Sequence, residues 1–252
     1  MLPRVFLELG GVVLRKILIT NDDGIMADGI IRLAEAAKEF GDVWVVAPDS
    51  QRSAASHSIS LRHPIDVYPH DFPVEGVKAF SCTGTPSDCV RVGGLNVMDE
   101  RPDVVLSGIN FGYNVATDIQ YSATAGAAFE AAFQGYHAIA LSEGFSGSHE
   151  VTDHYLRDML MDALEVDLDY GEILNINFPD CPFSECKGVA KGVTVSRKAF
   201  YIDSYNVLEE LENGGKRYMV AGIHRAVPEE GTDYGAVLNN TIAFGKVNNI
   251  GI

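Results

Sequence analysis

The stretch KILITNDDGIMADGI, Lys16 to Ile30, decides how the rest of the chain is read. KILIT (16–20) is a short apolar, β-branched run, the pattern of a strand buried on both faces. Two acids and a glycine, Asp22, Asp23 and Gly24, follow almost at once. In DGIIRLAEAAKEFG (28–41) the apolar residues recur at helical spacing, with Asp28 as the expected N-cap and Gly41 as the C′ residue. DVWVVAP (42–48) is a second buried strand, ended by Pro48. Strand, helix and strand make a βαβ unit, which implies parallel strands and a right-handed crossover.

The alternation continues along the chain. Residues 49–63, rich in Ser, His and Arg, read as a loop or flap. IDVYPH (65–70) and VKAFSC (77–82) read as strands, and PSDCVRVGGLNVM (86–98) as a helix. DVVLSG (103–108) is a buried strand, and TAGAAFEAAFQG (124–135) a helix of small residues able to approach a sheet closely. HAIALSE (137–143) and ILNINFP (173–179) are strands, with the amphipathic helix TDHYLRDMLMDALEV (152–166) between them. After residue 181, GVTVSRKAFYI (192–202) and KRYMVAGIH (216–224) read as two strands around the turn ELENGG (210–215), and TIAFGKV (241–247) as a last strand. The expected fold is α/β: a Rossmann-like, doubly wound, mostly parallel sheet over 15–180, with a C-terminal antiparallel β-hairpin arm and closing strand over 181–252 in the same single domain. Residues 1–14 are expected to be an N-terminal extension, an extra strand or a loose segment.

Acids outnumber bases 35 to 19, for a formal charge of −16. That balance excludes a broad grip on a nucleic-acid duplex. It leaves small anionic substrates open, because a bound cation reverses the field locally. The four cysteines, at 82, 89, 181 and 186, fit neither a zinc pattern nor a disulfide framework. Buried thiols are expected, with a Cys181–Cys186 bridge left open. No stretch has the length and apolarity of a membrane span, so a soluble, cytoplasmic protein without a membrane partner is expected.

In an open α/β sheet, ligands bind outside the carboxyl ends of the strands. Those ends here carry Asn21-Asp22-Asp23-Gly24, Asp49-Ser50-Gln51-Arg52-Ser53, Thr83-Gly84-Thr85-Pro86-Ser87-Asp88 and Ser107-Gly108-Ile109-Asn110. A rim built from oxygens and backbone amides suits hard metals and phosphate. Asp-Gly alone reads as an Asx turn. Two neighbouring acids at a strand end favour a divalent cation, which offsets their repulsion. SGIN (107–110) reads as a tight turn with Gly108 at positive φ, or as the source of a neutral oxygen ligand from Asn110. Ser122 is the natural N-cap of the helix from 124, and that N-terminus with Ser122 and Thr124 can also hold a phosphate. His57, in the flap near Arg52 and Arg62, is a candidate for proton transfer or phosphate contact.

Taken together, ILITNDDGI, APDSQRSAASHSIS, TGTPSDCV and SGINFGYNVATDIQYSATAGAAFEAA resemble, in order, the motifs of the SurE (survival protein E) family of metal-dependent 5′-nucleotidases. The resemblance is closest from about residue 15 to 145. It implies one divalent ion per subunit, held by Asp22, Asp23, Ser53 and Asn110, and that all-oxygen ligand set favours Mg or Mn over zinc. It implies a nucleoside monophosphate substrate and leaves 3′-nucleotides and short polyphosphate open as further substrates. It also implies a homodimer or tetramer joined through the C-terminal arm at 192–224. Asn21, Gly108, Ser122, Thr124 and His57 are the expected phosphate contacts, and Asp22 or Asp23 the residue that orients or deprotonates the water. Three positions depart from the family's usual glycine: Ser56, Ala116 and Ala123. Two other readings compete. A covalent-aspartate phosphatase needs Asp-x-Asp-Gly, but the pair here is adjacent and position 21 is Asn. A receiver-like Mg-binding regulatory module needs an acceptor aspartate and a lysine on later strands, where this chain has Ser-Gly-Ile-Asn and Ser142-Glu143.

Overall fold

The computed structural model describes residues 14–198, 201–202, 204–224 and 227–249. Apart from Leu14, the expected extension at 1–14 lies outside the described residues.

The βαβ opening forms as β1 (Arg15–Thr20), α1 (Asp28–Ala37) and β2 (Gly41–Pro48). Then come β3 (Val67–Pro69), β4 (Lys78–Cys82), α2 (Pro86–Val92) and β5 (Val104–Phe111). The chain continues through α3 (Ala123–Phe133), β6 (His137–Glu143), α4 (Glu150–Ala163), β7 (Glu172–Phe178) and β8 (Val189–Lys191). It ends with β9 (Tyr201–Ile202), β10 (Tyr205–Glu210), β11 (Lys216–Val220), β12 (Ile223–His224), α5 (Asp233–Leu238) and β13 (Ile242–Asn248).

Nine strands form the main sheet, in the order β3-β4-β2-β1-β5-β6-β7-β13-β8. The six strands from β4 to β7 in that order are mutually parallel, while β3 and β13 run antiparallel to β4 and β7. The chain winds outward from β1 to β4, then returns to place β5 on the other side of β1. The strand order reverses between β1 and β5, so a crevice opens at their carboxyl ends.

Period-2 alternation divides the core into two layers. Ile17 and Ile19 of β1 pack with Ile30 and Leu33 of α1 and Leu156 and Leu160 of α4. Leu18, one residue out of phase, faces the other side with Cys89 and Val90 of α2 and Ala125, Ala128 and Phe129 of α3. The alanines of α3 let that helix lie close to β5 and β6.

Several expectations change. Asp28 is the first helical residue and not the N-cap; Ala27 holds that place without a side-chain bond, and Asp28 pairs with Arg32 one turn on at 2.6 Å. Helix α1 ends at Ala37, and Gly41 opens β2 because the parallel ladder sets it opposite Arg15. The helix expected over 86–98 is α-helical only to Val92, then turns once as a π-helix from Gly93 to Val97. Thr85 and Asp88 form a reciprocal capping box at its start.

The hairpin forms around the expected turn, but its first strand is Tyr205–Glu210. Of the stretch 192–202, Val193 packs in a small core with Tyr234, Val237 and Ala243, and Thr194 bridges to Thr232. Burial holds the start of that segment on the main body, while its end, Tyr201–Ile202, pairs antiparallel with Ile223–His224 at the base of the arm. Helix α5 was not anticipated; Thr232 caps it by accepting from the Gly235 N–H at 3.0 Å. Cys181 and Cys186 are free thiols, so the bridge left open does not form. Among the described residues, no helix is long and apolar enough to cross a membrane.

Candidate active site

The turn after β1 is held by the side chain of Asn21 and not by the acids. The buried Asn21 amide donates to the Gly24 carbonyl at 2.9 Å and accepts from the Gly24 N–H at 3.3 Å. Both its polar ends serve the turn, which leaves the carboxylates of Asp22 and Asp23 for other work.

Asp22 is 4% exposed. Its Oδ1 accepts from Thr124 Oγ1 at 2.6 Å, which ties the end of β1 to the first turn of α3. Its carbonyl accepts from the Arg52 N–H at 2.7 Å and so anchors the flap after β2. Asp23 is half-buried. Its Oδ2 accepts from the Phe111 N–H at 3.1 Å, and its Oδ1 from Gln51 Nε2 at 3.4 Å. Gln51 Nε2 also donates to Ser53 Oγ at 3.0 Å. Asn110 donates its amide N–H to the Gly112 carbonyl at 2.7 Å, so its oxygen is the atom left to accept or coordinate.

The electrostatics are those of a site short of positive charge. Burial pushes Asp22 up to about 6; the Thr124 bond opposes the rise, and the charge of Asp23 adds to it. Burial also raises Asp23, against the Phe111 and Gln51 bonds. No cationic side chain enters the balance on either acid. Among the described residues, no three His, Cys, Asp or Glu side chains are grouped to hold a metal. Any cation here would therefore add neutral oxygens to the acid pair, and Ser53 and Asn110 supply that type. An all-oxygen donor set on two uncompensated carboxylates fits a hard divalent ion.

Ser122 caps α3, its Oγ accepting from the Ala125 N–H at 3.0 Å. The helix N-terminus thus lies beside Asp22, with Thr124 between them. Gly108 sits where the β5–β6 ladder breaks, between Ser107 and Asn110. Its φ is +142°, and a methyl group there would lie 2.3 Å from the Leu141 carbonyl oxygen. It holds β5 against β6 and thereby aims Asn110.

His57 packs against α3, its backbone beside Gly126. Its Nε2 lies 2.8 Å from Glu130 Oε2, and its ring stacks on Phe133. Glu130 stands six residues beyond Thr124, about 9 Å along the helix. It also accepts from Arg91 at 2.9 Å and Gln134 at 2.8 Å. Gln51 and Glu130 escaped the sequence reading. The signal for Glu130 is a single acid inside the small-residue run AAFEAAF; Gln51 has none beyond standing two residues before Ser53.

The model of the family described as Survival protein SurE matches residues 17–201. The chain belongs to the SurE family. It is 39% identical over 238 residues to the 5′-nucleotidase SurE of Thermoanaerobacter sp. (strain X514), covering 92% of this chain and 91% of that one. It is 37% identical to the 5′-nucleotidase SurE of Geobacter metallireducens, with 91% and 89% covered. The crystal structure of the Sure protein from Aquifex aeolicus superimposes with a TM-score of 0.78 at 33% identity, covering 92% of this chain and 93% of the other. Of the three positions where the SurE resemblance leads one to expect glycine, two take left-handed backbone, Ser56 at φ 54° and Ala116 at φ 55°. Ser56 donates to the Gln120 carbonyl at 2.6 Å, and the Ala116 N–H donates to Asp233 at 2.8 Å. These contacts hold a conformation that costs a non-glycine residue on the order of 1 kcal/mol. Ala123 is simply the first residue of α3.

Proposed function

We propose that this chain is a metal-dependent phosphomonoesterase that hydrolyses nucleoside monophosphates to nucleoside and phosphate, a 5′-nucleotidase. The observation that carries the reading is the pair of buried Asp22 and half-buried Asp23, without a cationic partner among the described residues, at the switch point between β1 and β5 and against the N-terminus of α3. The activity named for the relatives from Thermoanaerobacter and Geobacter supports it.

Asp22, Asp23, Ser53 and Asn110 would hold one divalent ion, Mg or Mn. When bound, that ion polarises the phosphoryl oxygens and lowers the pKa of a bound water. Asp22, locked by Thr124, is assigned to hold the ion. Asp23, the more exposed of the two, is assigned to orient the attacking water. The N-terminus of α3 with Ser122 and Thr124 favours the negative charge of the phosphate through the helix dipole. The same phosphate-centred site would accept 3′-nucleotides and short polyphosphate.

The hairpin of β10 and β11 supports assembly as a homodimer or tetramer. It exposes Tyr205, Val207, Leu208, Tyr218 and Val220, an apolar content that a second copy of the chain would cover. Four free thiols fit a reducing, cytoplasmic compartment.

Phosphate release from 5′-AMP, 3′-AMP and tripolyphosphate, with EDTA and with added Mg or Mn, tests the reading. Release from 5′-AMP should depend on the metal. Ser53→Ala and Asn110→Ala should each weaken metal activation at least about tenfold. Turnover indifferent to EDTA would reject the proposal.

A further inference from the structure

Two exposed phenylalanines stand at the mouth of the site, and nothing in the phosphate chemistry uses them. Phe111 is 51% exposed and Phe145 47%. Phe111 follows Asn110 directly, and its own N–H is the donor to Asp23. Its ring meets that of Phe145 edge to face, with centroids 6.2 Å apart and planes at 85°. Tyr113 packs against Phe145 from behind, at 6.0 Å and 75°.

These rings are not on loose loops. Phe111 is paired in register with Glu143 across β5 and β6, and the Gly112 N–H donates to the Glu143 carbonyl at 2.9 Å. The Phe145 ring lies over Gly112 so closely that a methyl there would sit 2.5 Å from its Cε1. The Ser146 N–H donates to Asp180 at 2.8 Å, and the Asp180 N–H in turn donates to the Tyr113 hydroxyl. About half of each phenylalanine remains exposed, so each ring forgoes part of the hydrophobic free energy of full burial. Held at right angles they form a corner: a flat ring laid on one face meets the edge of the other, the pairing that aromatic groups prefer. Because the corner is already ordered, little rotamer entropy is lost when it is filled.

We infer that Phe111 and Phe145 are specificity-determining residues that stack the base of a nucleotide whose phosphate is held at Asp22 and Asp23. The inference rests on the proposed nucleotidase reading. The phosphate fixes the ester at the acid pair, and the base is the only flat apolar part of the molecule. Phe111, one residue from Asn110 and bonded to Asp23, lies on the rim that the nucleoside must cross to reach solvent.

The test compares 5′-AMP with ribose 5-phosphate, which carries the same phosphate ester and no base. Base stacking on an aromatic residue is worth about 1–3 kcal/mol, or about 5- to 150-fold in affinity. Phe111→Leu and Phe145→Leu keep apolar bulk and remove the ring. Each should lower the ratio of kcat/KM for 5′-AMP to that for ribose 5-phosphate about tenfold, through KM for 5′-AMP. Phe111→Tyr and Phe145→Tyr should retain the ratio. A ratio unchanged in both leucine variants, including a loss shared equally by the two esters, overturns the inference while leaving the nucleotidase reading intact. Metal-dependent release from neither ester by the wild-type chain would remove the nucleotidase reading, and the stacking surface with it.

Discussion

At the scale of single residues, the site is a tension between two carboxylates and the medium around them. Asp22 has an ordinary value of 3.8 and is pushed by burial to about 6 in the folded, metal-free protein. A raised carboxyl pKa means that folding favours the protonated form. The associated stability is complete below pH 3.8 and is lost as the pH rises through about 6. A rise of that size corresponds to roughly 3 kcal/mol. Metal-free Asp22→Asn should therefore be more stable than metal-free wild type near pH 7, by about 2–3 kcal/mol, since Thr124 can still donate to the amide oxygen. Adding Mn should reverse the order, raising the melting temperature of the wild type and leaving the variant unmoved. Thermal melts between about pH 4 and pH 8, in EDTA and in Mn, check both halves; a wild type that is insensitive to pH and metal would contradict them.

At the scale of elements, α3 does two jobs from its two ends. Its N-terminus, capped by Ser122, meets the acid pair through Thr124, and two turns later Glu130 holds the flap through His57. Burial pushes Glu130 up, but the His57, Gln134 and Arg91 contacts outweigh it and hold the carboxyl below its usual value. A depressed carboxyl pKa contributes stability above the unfolded value, and that stability fades as the pH falls through the folded one. Glu130→Ala strands Arg91 and His57 and should lower stability by about 2 kcal/mol near pH 7, as for a buried group left unpaired. The difference from wild type should shrink in acid. Urea denaturation at about pH 7 and about pH 4 measures it, and an equal deficit at both would deny Glu130 its charged role.

At the scale of the whole molecule, the main sheet holds the body together and the hairpin is an appendage. The hairpin's base is pinched together by the Ala221 N–H donating to the Ser204 carbonyl at 2.8 Å. A short Gly-Ser link can therefore replace residues 205–220 without straining the body. Light scattering behind a sizing column should then show the wild type as an oligomer and the linked variant as a monomer with unchanged secondary structure. A wild type that is already monomeric would remove the arm from any role in assembly.

Much of the architecture was legible in the chain itself, because burial on both faces writes itself as unbroken apolar runs. KILIT, DVWVVAP and DVVLSG announced parallel strands, and the alternation with helical periods announced the doubly wound sheet. The polar loops after those strands marked the rim where Asp22, Asp23, Ser53 and Asn110 lie. Local signals failed where a long-range contact overrode them. Asp28 looked like a cap until Arg32 claimed it, and 192–202 looked like hairpin until the Val193 core held part of it down. His57 stood near the phosphate residues in motif order; its backbone lies against Gly126 in the first turns of α3, and its ring reaches on to Glu130. The corner of Phe111 and Phe145 could not be read at all, since the two are 34 positions apart. The sequence alone determined the layers and the chemical type of the rim, because both depend on composition and period. Which side chains meet across that rim was decided only by tertiary structure, because register and packing bring together groups that no local pattern connects.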